Sequence, residues 1–117
     1  TVTGTTLTNK INETSSTLPS GRYIILWSYG WNHNSSSNDF IAQLNIDGVE
    51  VMYHQQEPKD SAGDWSSTGS NQRHRESGQV IMDLSASTHT INLKFASDNS
   101  GVASSIWDAR ISLWRVS

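Results

Sequence analysis

The segment FIAQLNIDGVEVMYHQ, residues 40 to 55, constrains the fold more than any other part of the chain. Apolar residues alternate on both sides of Asp47-Gly48, and that dipeptide suits a two-residue type I′ turn, whose central positions both require positive φ. The turn sets a register in which Ile46 faces Val49, Leu44 faces Val51 and Ala42 faces Tyr53, giving the hairpin one consistently apolar face. A chain committed to this hairpin near its middle is committed to antiparallel pairing.

The rest of the sequence follows the same period. RYIILWSYGW (22–31) puts Tyr23, Ile25, Trp27, Tyr29 and Trp31 on one parity and Ile24 and Leu26 on the other, as in a central strand partly buried on both faces. QVIMDL (79–84) separates Val80, Met82 and Leu84 from Asp83. THTINLKFAS (88–97) does the same for His89, Ile91, Leu93 and Phe95 against Thr90, Asn92 and Lys94. SSIWDARISLWRVS (104–117) predicts Trp107, Ala109, Ile111 and Leu113 inward and Trp114 outward, an anomaly that suggests a bulge, a second packed layer or a subunit contact. No long helical period is present. Thr1–Thr8 reads as extended, Lys10–Thr17 as a loop or an edge strand, and Leu18-Pro19-Ser20-Gly21 as a turn. The expectation is an all-β antiparallel sandwich, jelly-roll-like, of about six to eight strands. Residues 18–117 form its single domain, and residues 1–17 an extended segment or arm.

With 117 residues, 34% of them hydrophobic, the core must lean on large aromatics, among them five tryptophans. A net charge of -3 without a Lys/Arg block argues against nucleic-acid binding. No apolar run is long enough to span a bilayer as a helix. The absence of cysteine removes disulfides and thiolate chemistry. Because the first residue is Thr1, a processed product or a domain of a longer chain is expected.

EPKDSAGDWSSTGSNQRHRES (57–77) is the longest stretch without hydrophobic rhythm. Its charges nearly cancel, which suits pairing within or between subunits, with Arg73 or Arg75 reaching Glu57 or Asp60 as a clamp. A solvated loop without fixed pairing is the alternative. His33, His54, His74 and His89 lie at no ligand spacing, no Gly-x-Ser-x-Gly elbow occurs, and the many carboxylates single out no catalytic pair. His89 reads as a rim or core histidine bonded to a backbone carbonyl. No catalytic residue, metal or cofactor is implied. Exposed aromatics could instead stack on sugars: Trp31 with neighbouring His33 and Asn34, Trp65, and Trp114.

Together, LPSGRYIILWSYGWN, FIAQLNIDGVEV, HQQEPKD, NQRHRES, STHTINLKF and ASSIWDARISLWRV resemble a small β-sandwich domain of tailed-bacteriophage virion proteins, of the capsid decoration (cement) or fibre-head type. The resemblance spans nearly the whole chain. It implies a non-enzymatic structural protein of the virion, assembled as a homotrimer on capsid or fibre proteins. Glu57, Pro58, Asp60, Arg73 and Trp107–Arg110 would then be structural or interface residues. The alternative it leaves is a carbohydrate-binding module or a receptor-binding fibre tip recognising cell-surface glycans.

Overall fold

The structure is a computed structural model that describes residues 1–58 and 73–117. It contains eight strands and no helix among these residues: β1 (Val2–Thr3), β2 (Thr8–Thr14), β3 (Gly21–His33), β4 (Phe40–Ile46), β5 (Val49–Gln56), β6 (His74–Leu84), β7 (Thr90–Ser97) and β8 (Ala103–Arg115). They form two antiparallel four-stranded sheets, β1-β8-β3-β6 and β2-β7-β4-β5. The hydrogen-bonded partners β1·β8, β2·β7, β3·β6 and β4·β5 are nested around the β4–β5 turn. This is the order of a jelly roll, a long hairpin rolled into a sandwich.

Inward-facing side chains of both sheets form one core. Tyr23, Ile25, Tyr29 and Trp31 of β3 meet Phe40, Ala42, Leu44 and Ile46 of β4 and Ile91, Leu93 and Phe95 of β7, all of them buried. Trp31 is sandwiched between rings, stacked on Phe40 at 4.6 Å and on His74 at 4.3 Å. The expected alternation holds along β3, along β7 and in the second half of β6.

Two bulges alter the expected facing. Asp47 and Gly48 have the positive φ values of a type I′ turn, 53° and 79°, and Ile46 pairs with Val49 as expected. Beyond that pair the register shifts: Asn45 pairs with Glu50 but Leu44 pairs with Met52, so Val51 is the extra residue. Ala42 therefore faces His54 rather than Tyr53, and Tyr53 turns outward, 50% exposed. In β8, Gly30 pairs with Trp107 and Ser28 with Arg110, so Asp108 and Ala109 together oppose Tyr29, with Asp108 at φ 48°. The extra residue changes the parity of the strand. Ser104 and Ile106 point inward before it, and Ala109, Ile111 and Leu113 pack against the core after it. Trp107, expected inward, lies on the outer face.

The N-terminal segment expected as an arm is part of the sandwich. β1 pairs with β8 and β2 with β7, each at the edge of its sheet. β6 also begins earlier than the hydrophobic rhythm suggests, because His74 to Ser77 pair with Trp31 to Ser28. The polar composition of RHRES reflects an edge strand with one face in solvent.

Candidate functional site

Even-numbered residues of β3 point away from the core, and their register with β6 and β8 builds an outer face in rows. In one row Trp114, Ile24 and Ile81 lie side by side across three strands. Trp114 is 65% exposed and Ile81 56%. Ile24 between them is half-buried, so the outward row joins two exposed apolar side chains through a third. Next to it Arg22 Nε donates to Asp83 Oδ1 at 3.3 Å, an exposed pair of small energetic weight.

Further along the strands the face forms a groove of about 420 Å³, whose lining combines the apolar Leu26 and Trp27 with Ser28, Ser77, Gln79, Arg110 and Ser112. In the adjoining row of this face, Trp107 pairs with Gly30. It lies against Gly30, where a Cβ would come within 2.4 Å of the indole. The Arg73 guanidinium stands 5.6 Å from the centre of the Trp107 ring, within cation–π range. Arg75 reaches Asp108 at 3.6 Å. Among the described residues, Arg73 and Arg75 thus meet Trp107 and Asp108 of β8, whereas Asp60, one of the expected clamp partners, lies outside them. Both groups of the Arg75–Asp108 pair are largely exposed, so the pair orients side chains more than it stabilises the fold.

Because only glycine leaves room for the Trp107 ring, Gly30→Ala is expected to cost about 1–3 kcal/mol of stability. The ring should move off β3 and release Arg73. A changed indole N–H resonance for Trp107, together with a lower denaturation midpoint, would show this; an unaltered resonance would refute the close packing.

The expected sugar-contacting residues lie elsewhere. Trp31 is 1% exposed and His33 fully buried. The Nδ1–H of His33 donates to the Ser35 carbonyl at 2.8 Å, and its Nε2 is bonded to Ser97 Oγ at 2.8 Å. Neither residue offers a ring face to a ligand, because β3 carries both on its inward parity. Asn34 is exposed, and its backbone N–H donates to the Ala103 carbonyl. Glu57 is exposed, whereas Asp60 and Trp65 lie outside the described residues.

The structure brings together two polar clusters that spacing did not reveal. At the open side of the sandwich between β5 and β6, the Tyr29 hydroxyl donates to His54 Nδ1 at 2.6 Å. His54 Nε2–H in turn donates to Gln56 Oε1 at 2.9 Å, with Glu76 at 3.3 Å. Burial, and then the charge of Glu76, raise the Tyr29 pKa far above its ordinary value, so the hydroxyl stays protonated. The bulge at Val51 delivers His54 to this cluster, and straight alternation could not have found it.

At the opposite end, His89 is 3% exposed. Its Nδ1–H donates to Asp47 Oδ2 at 2.6 Å and its Nε2–H to the Ser85 carbonyl at 2.9 Å, in line with the carbonyl partner expected from sequence. Asp47 Oδ1 also accepts from the Thr90 backbone N–H at 2.9 Å. The hydrogen bond to Asp47 is the main cause that raises the His89 pKa, and the same bond lowers that of Asp47. Two donors on one ring mean a charged imidazolium.

Among the described residues, no group of three or more His, Asp or Glu side chains is placed to hold a metal ion. No protein-family model matches the chain and no curated protein matches its sequence, so the reading of the outer face rests on its own residues.

Proposed function

We propose that this domain works by self-association, copies meeting through the outer face of the β8-β3-β6 sheet, as a non-enzymatic structural or attachment domain of a tailed-phage virion. The observation that carries this reading is the aligned row Trp114, Ile24 and Ile81, with its two end residues more than half exposed. Burial is worth about 1.5–3 kcal/mol for each large apolar side chain fully removed from water, so several copies of the row suffice to hold a small assembly. Two of the neighbouring cations are paired within the chain, Arg22 with Asp83 and Arg75 with Asp108, which limits like-charge repulsion between identical faces. The virion setting, the decoration or fibre-head role and the trimeric state rest on the sequence resemblance, and closed symmetric assembly is the common way to cover such a face.

Light scattering at micromolar concentration tests the proposal. The protein is expected to be an oligomer that survives moderate salt, since apolar burial is little screened. Trp114→Asp should give a monomer with an unchanged far-ultraviolet dichroism spectrum. A monomeric wild-type protein would overturn the reading.

The groove supports a second reading, recognition of cell-surface glycans. Hydroxyl, amide and guanidinium groups line it beside the apolar Leu26 and Trp27, with Trp107 and Trp114 in rows to either side, a composition suited to sugar hydroxyls and ring faces. Binding on a glycan array that is lost in Arg110→Ala would favour it, and a flat array would remove it.

A further inference from the structure

The outer face of the β8-β3-β6 sheet carries matching chemistry on the two flanks of its middle strand. β3 lies between β8 and β6. In the row of Ile24 a large exposed apolar side chain stands on each side, Trp114 from β8 and Ile81 from β6. One row further, Leu26 lies between Ser112 and Gln79, both exposed and uncharged. Ser28 then lies between Arg110 and Ser77, a cation on one flank and a hydroxyl on the other. Near Gly30 the flanks are of opposite charge, with Arg75 of β6 at 3.6 Å from Asp108 of β8.

We propose that two copies stack these faces about a twofold axis that runs along β3 and passes close to Leu26. This rests on the reading above that copies meet through this face, and it fixes the symmetry and register of their contact. The rotation lays β8 of each copy over β6 of the other. Trp114 meets Ile81 of the partner copy, and the same contact is made again in reverse. Ile24 and Leu26 meet their own counterparts on the axis. Ser112 comes to Gln79, Arg110 to Ser77 and Arg75 to Asp108, so the two ion pairs form a ring of four charges of alternating sign. Stacked sheets ordinarily keep their strand directions within about 30°, as this arrangement requires.

Apolar burial and charge complementarity select this pairing over the other twofold stackings of the same face. An axis across the strands through the Leu26 row sets Trp114 on Arg110 and Ile81 on Ser77, apolar against polar. An axis across the strands through the Ile24 row sets Leu26 on Arg22 and leaves the rows of Ser28 and Gly30 with nothing opposite. Of the three, the axis along β3 alone covers the whole face, puts apolar on apolar and puts acid on base. Its one like-charge contact is Arg22 with its own counterpart, and each Arg22 carries Asp83 as counter-charge at 3.3 Å. Such a contact joins copies in pairs, so a threefold assembly of the kind the resemblance implies needs other surface.

The chain has no cysteine, so single thiols placed on the face report its register. Ser28→Cys, Gln79→Cys and Ser112→Cys are each treated with a short bismaleimide at micromolar protein. Stacked sheets stand about 10 Å apart, too far for a disulfide and within the reach of such a linker. Ser28→Cys is expected to link to itself. Gln79→Cys and Ser112→Cys are expected to link to each other when co-expressed, with a tag on one of them. That reaction should outrun the linking of either to itself by roughly tenfold or more, because thiols held opposite each other react at millimolar effective concentration. In a pair the two copies of Gln79 are offset sideways by two strand spacings, about 10 Å. Adding Trp114→Asp should abolish the linking. Gln79→Cys or Ser112→Cys linking to itself as fast as the mixture, Ser28→Cys failing to link, or linking that survives Trp114→Asp would each overturn the twofold contact. Light scattering separates this inference from the reading beneath it: two copies are expected, three would sink the twofold contact and leave self-association standing, and a monomer would overturn both.

Discussion

Trp31→Ala is expected to destabilise the domain by about 3–5 kcal/mol, the range for truncating a buried large aromatic. The loss should be near the top of that range, because the ring is held on two sides, by Phe40 and by His74, and both would face the cavity left behind. Against the roughly 5–15 kcal/mol that separates most native domains from their unfolded state, this brings the protein close to unfolding at room temperature. Urea denaturation measures it directly. The sequence invites the opposite expectation, a loss of ligand binding with the fold intact. A variant of near wild-type stability would show that the residue does not hold the two sheets together.

The second large effect is a pH dependence centred on Asp47 and His89. The His89 pKa is raised in the folded state, so the stability it contributes is fully present below the ordinary value of 6.5 and is lost as pH rises through the raised value. Asp47 behaves conversely: its pKa is lowered, so its contribution is present above the ordinary 3.8 and lost as pH falls through the lowered value. Stability attributable to the pair is therefore greatest between roughly pH 4 and 6.5. Asp47→Asn keeps a residue that tolerates the left-handed turn and removes the charge. It should cost about 1.5–3 kcal/mol in that window, towards the lower figure because Asp47 is about half exposed and screened by solvent. The difference from wild type should shrink on either side. Denaturation midpoints measured across pH 3 to 9 for both proteins supply the check, and a pH-independent difference would refute the ion pair.

Much of the architecture was legible because period-two alternation and turn chemistry are local signals. The Asp47-Gly48 turn, the inward parity of β3 and the outward position of Trp114 all follow from neighbours in sequence. The facing of Trp107 and of Tyr53 did not. A bulge adds one residue to a ladder, and nothing in VEVMYHQ or SSIWDARIS distinguishes an added residue from a paired one. The same limit hid the candidate face, since the row Trp114, Ile24 and Ile81 exists only once three strands are placed in register. Trp31 and His33 misled for a related reason: a strand end rich in aromatics looks like a rim until the opposite sheet is seen to cover it.

The nested pairing also bears on how the chain closes. β4 and β5 are joined by a two-residue turn, whereas Gly21 must find Leu84 and Val2 must find Ser104. The entropy of closing a loop grows only slowly with its length, but it is spent before distant contacts return anything. Each inner ladder, once formed, shortens the effective loop that the next one must close. The hairpin at Asp47-Gly48 is thus the place from which pairing can propagate outward at least entropic cost. Its Asp47 carboxylate later receives His89 and Thr90, so the turn that can begin the sequence of closures also fastens the start of β7 once folding is complete.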